Sequence, residues 1–161
     1  MDEFMHKKFM KRAIALSHKA GIELKSGGAF GAVVVKDGKI IGEGYNKVLL
    51  NNDATCHAEI DAIRDAGKKT GHPHLKGAIL YTSAFCCPMC LCAAYWAHID
   101  KIYYAATIED AMKYGEFKDI DYYREMQKEI KDRQITCINL MREEAVAVWK
   151  AFSTMPDRAH Y

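Results

Sequence analysis

The segment YTSAFCCPMCLCAAYW, residues 81–96, holds four of the chain's six cysteines within seven positions. It joins a β-rich run, GAILYTS (77–83), to an apolar helix opening at Pro88. Proline suits the first helical position because its missing N–H has no intrahelical partner there. KIYYAAT (101–107) follows as another strand, and strand, short helix and strand in succession predict a right-handed parallel crossover. Toward the N-terminus, FGAVVVKDGKIIGEGYN (30–46) reads as an antiparallel hairpin around Asp37-Gly38, since a type I′ turn demands positive φ. CHAEIDAIRDAGKKTG (56–71) has Ile60, Ile63 and alanines on one side and closes on glycines, a helical pattern. Phe4 to about Lys25 is an amphipathic first helix, with Phe9, Ala13, Leu16 and Ala20 at helical spacing and Ser26-Gly27-Gly28 ending it. On the C-terminal side, 110–133 reads as helical and charged, QITCINLM (134–141) as a fifth strand and REEAVAVWKAFSTM (142–155) as a closing helix. The expected class is α/β, a three-layer α/β/α sandwich with a mixed five-stranded sheet, in one domain spanning 1–161.

Composition agrees with that size. The chain has 161 residues, half of them hydrophobic, enough for one well-buried core. The N-terminus, MDEFMHKKFMKRAIALSHKAG, interleaves charged and apolar residues and lacks the continuous apolar core of a secretory signal. The longest uncharged apolar run, around Leu91–Ala97, falls far short of the ~20 residues that cross a bilayer. A cytoplasmic protein without a membrane partner is therefore expected. In a reducing compartment, crowded cysteines bind metal, catalyse or pack more often than they form disulfides. A formal net charge of +2 and a pI near 8.2 argue against a nucleic-acid partner and for a small-molecule one.

Cys87 and Cys90 bracket Pro88 and Met89, so they stand three apart across the first turn of the predicted helix and face the same side. Unpaired N–H groups and the helix dipole favour thiolates there. Cys86 competes with Cys87 but lies further back in the loop, and Cys92 should point into packing. The third ligand comes from the other helix start, where CHAE places His57 and Glu59 two residues apart. H-x-E followed by P-C-x-x-C is the pattern of the zinc deaminases. Zn2+ held by His57, Cys87 and Cys90 would lower the pKa of a bound water toward ~7, with Glu59 as the carboxylate that moves protons.

Nearly the whole chain resembles the cytidine deaminase-like superfamily, and within it the small cytosolic guanine deaminases. The motifs carrying the resemblance are FGAVVVKDGKIIGEG leading to Asn46, HAEIDAIR, LYTS, CPMCLCAAYWA, IYYAAT ending at Asp110, and a terminal tyrosine, Tyr161. The resemblance implies hydrolytic deamination of a free nucleobase, guanine to xanthine. It implies that Asn46 hydrogen-bonds the purine, that Phe30 and Trp96 line the pocket, and that Asp110 assists proton movement at the amine. It also implies a homodimer in which the C-terminal segment, ending at Tyr161, crosses to the partner and closes its site.

Each role has a plainer reading. Phe30 and Trp96 serve as core aromatics in most chains, Asn46 suits an Asx turn, Asp110 suits a helix cap, and Tyr161 a frayed end. His72 and His74 read as a solvated loop and Cys137 as a strand core residue. The chain also departs from the family: relatives carry Cys-Glu-Pro-Cys-Pro-Met-Cys, whereas Ala84, Phe85 and Cys86 stand at the first three of those positions. Zinc binding survives that change, while substrate preference (another aminopurine, a pterin, a triazine, a nucleoside, cytosine or a wobble adenosine in transfer RNA) is open to it. A structural zinc module, with Cys86 or Cys56 as fourth ligand, is the reading outside enzymology.

Overall fold

A computed structural model describes residues 1–161. The chain divides into two compact units, Met1–Tyr123 and Arg124–Tyr161. The first begins with helix α1 (Glu3–His18), capped by the Asp2 side chain on the Met5 N–H at 2.9 Å and continued by a π-helical turn, Lys19–Glu23. Strands β1 (Gly31–Lys36) and β2 (Lys39–Tyr45) form the expected hairpin, with Asp37 and Gly38 both at positive φ. A short α2 (Val48–Asn51) lies in the polar connection to α3 (Ala58–Thr70). Strand β3 (Ile79–Ala84), α4 (Pro88–Trp96) and β4 (Lys101–Ala106) follow. The sheet order is β2-β1-β3-β4; β1 is antiparallel to both neighbours, and β3 and β4 are parallel.

The central strand is buried on both faces, which explains its unbroken Ala-Val-Val-Val run. Val33 and Val35, with Tyr81 of β3, pack on Phe9, Ala13 and Leu16 of α1. Ala32, Val34 and Leu80 point the other way, against the alanines of α3 and Cys90 and Ala94 of α4. Helices therefore cover both faces, as expected. Helix α3 approaches β2 unusually closely: a Cβ at Gly42 would lie 2.3 Å from the Ala62 carbonyl oxygen and one at Gly44 2.2 Å from that of Ala58. Ala58 is the residue after His57, so this contact seats the start of α3. Gly44→Ala is expected to cost about 1–3 kcal/mol by overpacking and to weaken zinc retention, readable as a lower urea midpoint and a faster loss of zinc to a chelator.

Three expectations change. The sheet has four strands, because 134–141 forms no ladder and leaves Ile135, Ile138 and Leu140 exposed. An alternating apolar run becomes a strand only where a neighbour accepts its N–H and C=O groups. The second unit contains only the end of helix α6 (Asp119–Gln127), a 3-10 turn (Ile130–Asp132) and a helix, α7 (Arg142–Thr154), and has no strand to offer. For the same reason Cys137 is exposed and not a strand core residue. The helical stretch 110–133 is broken into α5 (Ile108–Gly115) and α6 (Asp119–Gln127), where Glu116 takes a left-handed turn at φ 59. No helix is long and apolar enough to cross a membrane.

Candidate metal centre

The site is built from two helix starts and the connection leaving β3. The chain exits β3 through Phe85, whose N–H donates to the Ala106 carbonyl at 2.9 Å, and turns into α4 with Cys87 at the N-cap and Pro88 at the first helical position. Opposite it, His57 is the N-cap of α3. Neither N-cap side chain makes a capping hydrogen bond to its own helix. Both side chains are thus left for another task, beside the unpaired N–H groups of two positive helix ends.

Those side chains converge. His57 Nδ1 lies 3.5 Å from Cys87 Sγ and 3.5 Å from Cys90 Sγ, and the three donor atoms all fall within 4.8 Å of one another. A tetrahedral zinc ion with ordinary bonds to nitrogen and sulfur sets an N···S edge of about 3.6 Å. The donor set and its spacing therefore fit zinc. The sulfurs are prepared electrostatically as well. A hydrogen bond from the Cys90 thiol, then one from His57, pull the Cys87 thiol well below its usual range, while sharing that proton and burial push Cys90 up. The Cys87 contact in turn raises His57 against the effect of burial.

Glu59 stands beside this group without belonging to it. It is 4 % exposed; Oε1 accepts from the Thr82 hydroxyl at 3.3 Å and Oε2 from the Cys90 thiol at 3.4 Å. Burial, reinforced by the charge on Cys87, raises its pKa. Glu59 lines a pocket to which Phe30, Asn46, His57 and Cys87 also contribute. Asn46 is buried; its Oδ1 accepts from the Val48 N–H at 3.0 Å, the Asx turn that its position suggested, and its Nδ2 makes no hydrogen bond within the protein. Gly27 and Gly28 pack directly on the pocket walls. A Cβ would meet Asn46 Oδ1 at 1.9 Å from Gly27, and Phe117 at 2.6 Å and Phe30 at 2.7 Å from Gly28.

Other expected residues lie elsewhere. Asp110 is exposed in the first turn of α5, where its Oδ2 accepts from the Thr107 N–H at 2.9 Å in a reciprocal capping box, and it borders a different, largely apolar pocket. Trp96 ends α4, 67 % exposed, and is not among the residues lining the pocket beside Glu59. Tyr161 belongs to the second unit and is 76 % exposed. Cys86 is fully buried but outside the donor group, with its carbonyl accepting from the Tyr123 hydroxyl at 2.7 Å. Cys92, expected in packing, is exposed, because two residues beyond Cys90 the helix has turned to its outer side. Three wall residues were not singled out as substrate contacts from the sequence: Phe85, Phe117 and Asp119. Phe117 packs edge-on against Phe30 with centroids 4.9 Å apart, and Asp119 is a carboxyl whose pKa is raised by burial and by Cys87.

Comparisons with known proteins agree with this geometry. Residues 4–106 match the family described as the cytidine and deoxycytidylate deaminase zinc-binding region. Guanine deaminase of Bacillus subtilis (strain 168) is 42% identical over 156 residues, covering 97% of this chain and 99% of that protein. The X-ray structure of Bacillus subtilis guanine deaminase superposes with a TM-score of 0.92 at 41% identity, over 100% of this chain and 99% of the other. A solved relative in complex with 2,6-diaminopurine has a TM-score of 0.64 at 30% identity, covering 69% of this chain and 61% of its own. A tRNA-specific adenosine deaminase of Buchnera aphidicola subsp. Schizaphis graminum is 32% identical over 86% of this chain and 89% of its own. With the match spanning most of the sequence and the three donors in place, this chain is a member of the cytidine and deoxycytidylate deaminase zinc-binding family.

Proposed function

We propose that this protein hydrolyses guanine to xanthine and ammonia. The observation carrying the reading is a buried carboxyl, Glu59, held beside the His57, Cys87 and Cys90 donors and lining the same pocket as Phe30 and Asn46, in a chain alike over its full length to a guanine deaminase. Zinc held by His57, Cys87 and Cys90 would supply a Lewis-acidic position that makes water nucleophilic at neutral pH. Glu59 is the group that takes a proton from the attacking water and hands it to the ring nitrogen beside the carbon bearing the amine; burial, which raises its pKa, suits a group that must both accept and give. Asn46 Nδ2 donates to the purine, and Phe30 with Phe117 packs against its ring. Asp110 is engaged with Thr107, so the second carboxyl near the departing amine is assigned to Asp119, which lines the pocket.

The same reading includes a homodimer in which the C-terminal segment, with Tyr161, closes the partner's site near Trp96. It is supported by a sheet whose β4 has no neighbour beyond it and by exposed Ile135, Ile138, Leu140 and Trp149 in the second unit. Incubating the zinc-loaded protein with guanine, guanosine, cytosine, adenine, a pterin and ammeline while following ammonia tests the substrate: guanine is expected to lead, and turnover of another member alone would move the assignment to that compound. Asn46→Asp keeps the oxygen that Val48 uses and removes the amide donor. It is expected to lower kcat/KM on guanine by about tenfold to a hundredfold, the worth of one buried hydrogen bond, with an unchanged melting temperature by circular dichroism.

A further inference from the structure

Three of the chain's seven histidines meet at a second place in the first unit. His72 and His74 follow Gly71, the C-cap of α3, and His98 follows Ala97, the C-cap of α4. The two connections are joined by the Leu75 N–H donating to the Ala97 carbonyl at 2.7 Å. The His74 ring lies between the others, its centroid 5.2 Å from that of His72 and 4.2 Å from that of His98. These are the far ends of the two helices that carry the zinc donors at their starts. At 1.5 Å per residue they lie about 20 Å along α3 and about 13 Å along α4 from His57 and Cys87.

Two details set the cluster apart from an ordinary solvated loop. His74 Nε2 is shielded from solvent and has no hydrogen-bond partner, the single buried side-chain nitrogen or oxygen in the protein left so. Such an atom calls for an occupant, either water or an ion. His98 is held in the left-handed region at φ 53, a conformation with a cost that the surroundings impose. The His74 N–H donates to His72 Nδ1 at 3.0 Å, so in the neutral ring the proton sits on Nε2, and His72 offers a lone pair to a metal only on releasing that bond. Burial, with His98 and His72 alongside, holds His74 below the usual imidazole range.

We propose that His72, His74 and His98 form an ancillary site for a borderline divalent transition metal, of the zinc, nickel or copper class, stapling the C-terminal ends of α3 and α4. Imidazole nitrogens are the donors such ions favour, and a cation there meets the negative ends of two helix dipoles. In the present arrangement the rings lie side by side, with nitrogens not yet converged. His72 and His98 are exposed, and turning His72 toward His74 Nε2 gives up the hydrogen bond from the His74 N–H. The ion would brace the helices whose other ends position His57, Cys87 and Cys90, without touching the substrate pocket.

The test counts metal, not turnover. The full-length protein is equilibrated with micromolar zinc, freed of unbound ion by gel filtration and assayed for zinc per chain by mass spectrometry. Wild type is expected to hold two. His74→Gln and His98→Asn are each expected to hold one, retained at the cysteine site and so reporting a folded chain; asparagine is chosen because it tolerates the left-handed backbone. One zinc in wild type, the outcome if His74 Nε2 merely binds water, overturns the proposal, as does two in both variants. Neither result bears on the cysteine site or on guanine, so this inference stands or falls apart from the proposed activity.

Discussion

Glu59→Gln is expected to keep one zinc at the cysteine site and to lose about 10²–10⁴-fold in kcat on guanine, the usual contribution of a positioned acid–base group. The substitution is nearly isosteric. Glutamine still accepts from the Thr82 hydroxyl at the place where Glu59 Oε1 does, so the packing between α3 and β3 survives. What is removed is a carboxyl able to take a proton at one moment and deliver it at the next. Because Glu59 is buried and its pKa raised, no solvent-exposed acid stands in for it. Metal analysis beside ammonia release separates this from a binding defect: normal zinc with lost turnover is the expected pair. Normal zinc with full turnover would remove Glu59 from the chemistry.

The second large effect concerns the sulfurs. Cys90→Ala is expected to abolish zinc retention at the cysteine site and, with it, measurable deamination, because two donors do not hold the ion against dialysis and Glu59 also loses the thiol at 3.4 Å. The variant should melt at a lower temperature than the zinc-loaded wild type, since an ion bound only by the folded chain stabilises it. Cys86→Ala is the control that decides between neighbouring cysteines. Cys86 is buried but outside the donor group, so its removal should cost about 1 kcal/mol of packing and leave zinc in place. Acidification acts in the same direction as losing a donor. His57 and both thiols must be deprotonated to bind, and His57 holds its proton more strongly than usual, so zinc affinity falls as pH drops through the raised His57 pKa. Competition with a chromophoric chelator across that range reads the slope.

Much of this centre was legible because it rests on short-range rules. Asp37-Gly38 demanded a hairpin, Pro88 announced a helix start, and three-residue spacing put Cys87 and Cys90 on one side. His57 and Glu59 were found by pairing that motif with H-x-E at a second helix start. Phe117 and Asp119 were not legible. They enter the pocket because Glu116 turns the chain in a left-handed conformation, and a glutamate does not advertise positive φ as glycine does. A local signal did exist for Asp110: Thr107 stands three residues before it, the spacing of a capping box. The fifth strand failed for a different reason. The β-branched run 134–141 has strand composition, but composition cannot supply the neighbouring strand that its backbone needs.

The central claim is that zinc is held by one imidazole and two thiolates, with its remaining position open to water. X-ray absorption at the zinc edge of the loaded His74→Gln protein, whose zinc sits at the cysteine site alone, measures that shell directly. The account predicts two sulfur neighbours at about 2.3 Å with light atoms at about 2.0–2.1 Å, and one light neighbour displaced when a purine analogue is added. A shell with three sulfurs, or one unchanged by any analogue, would contradict it.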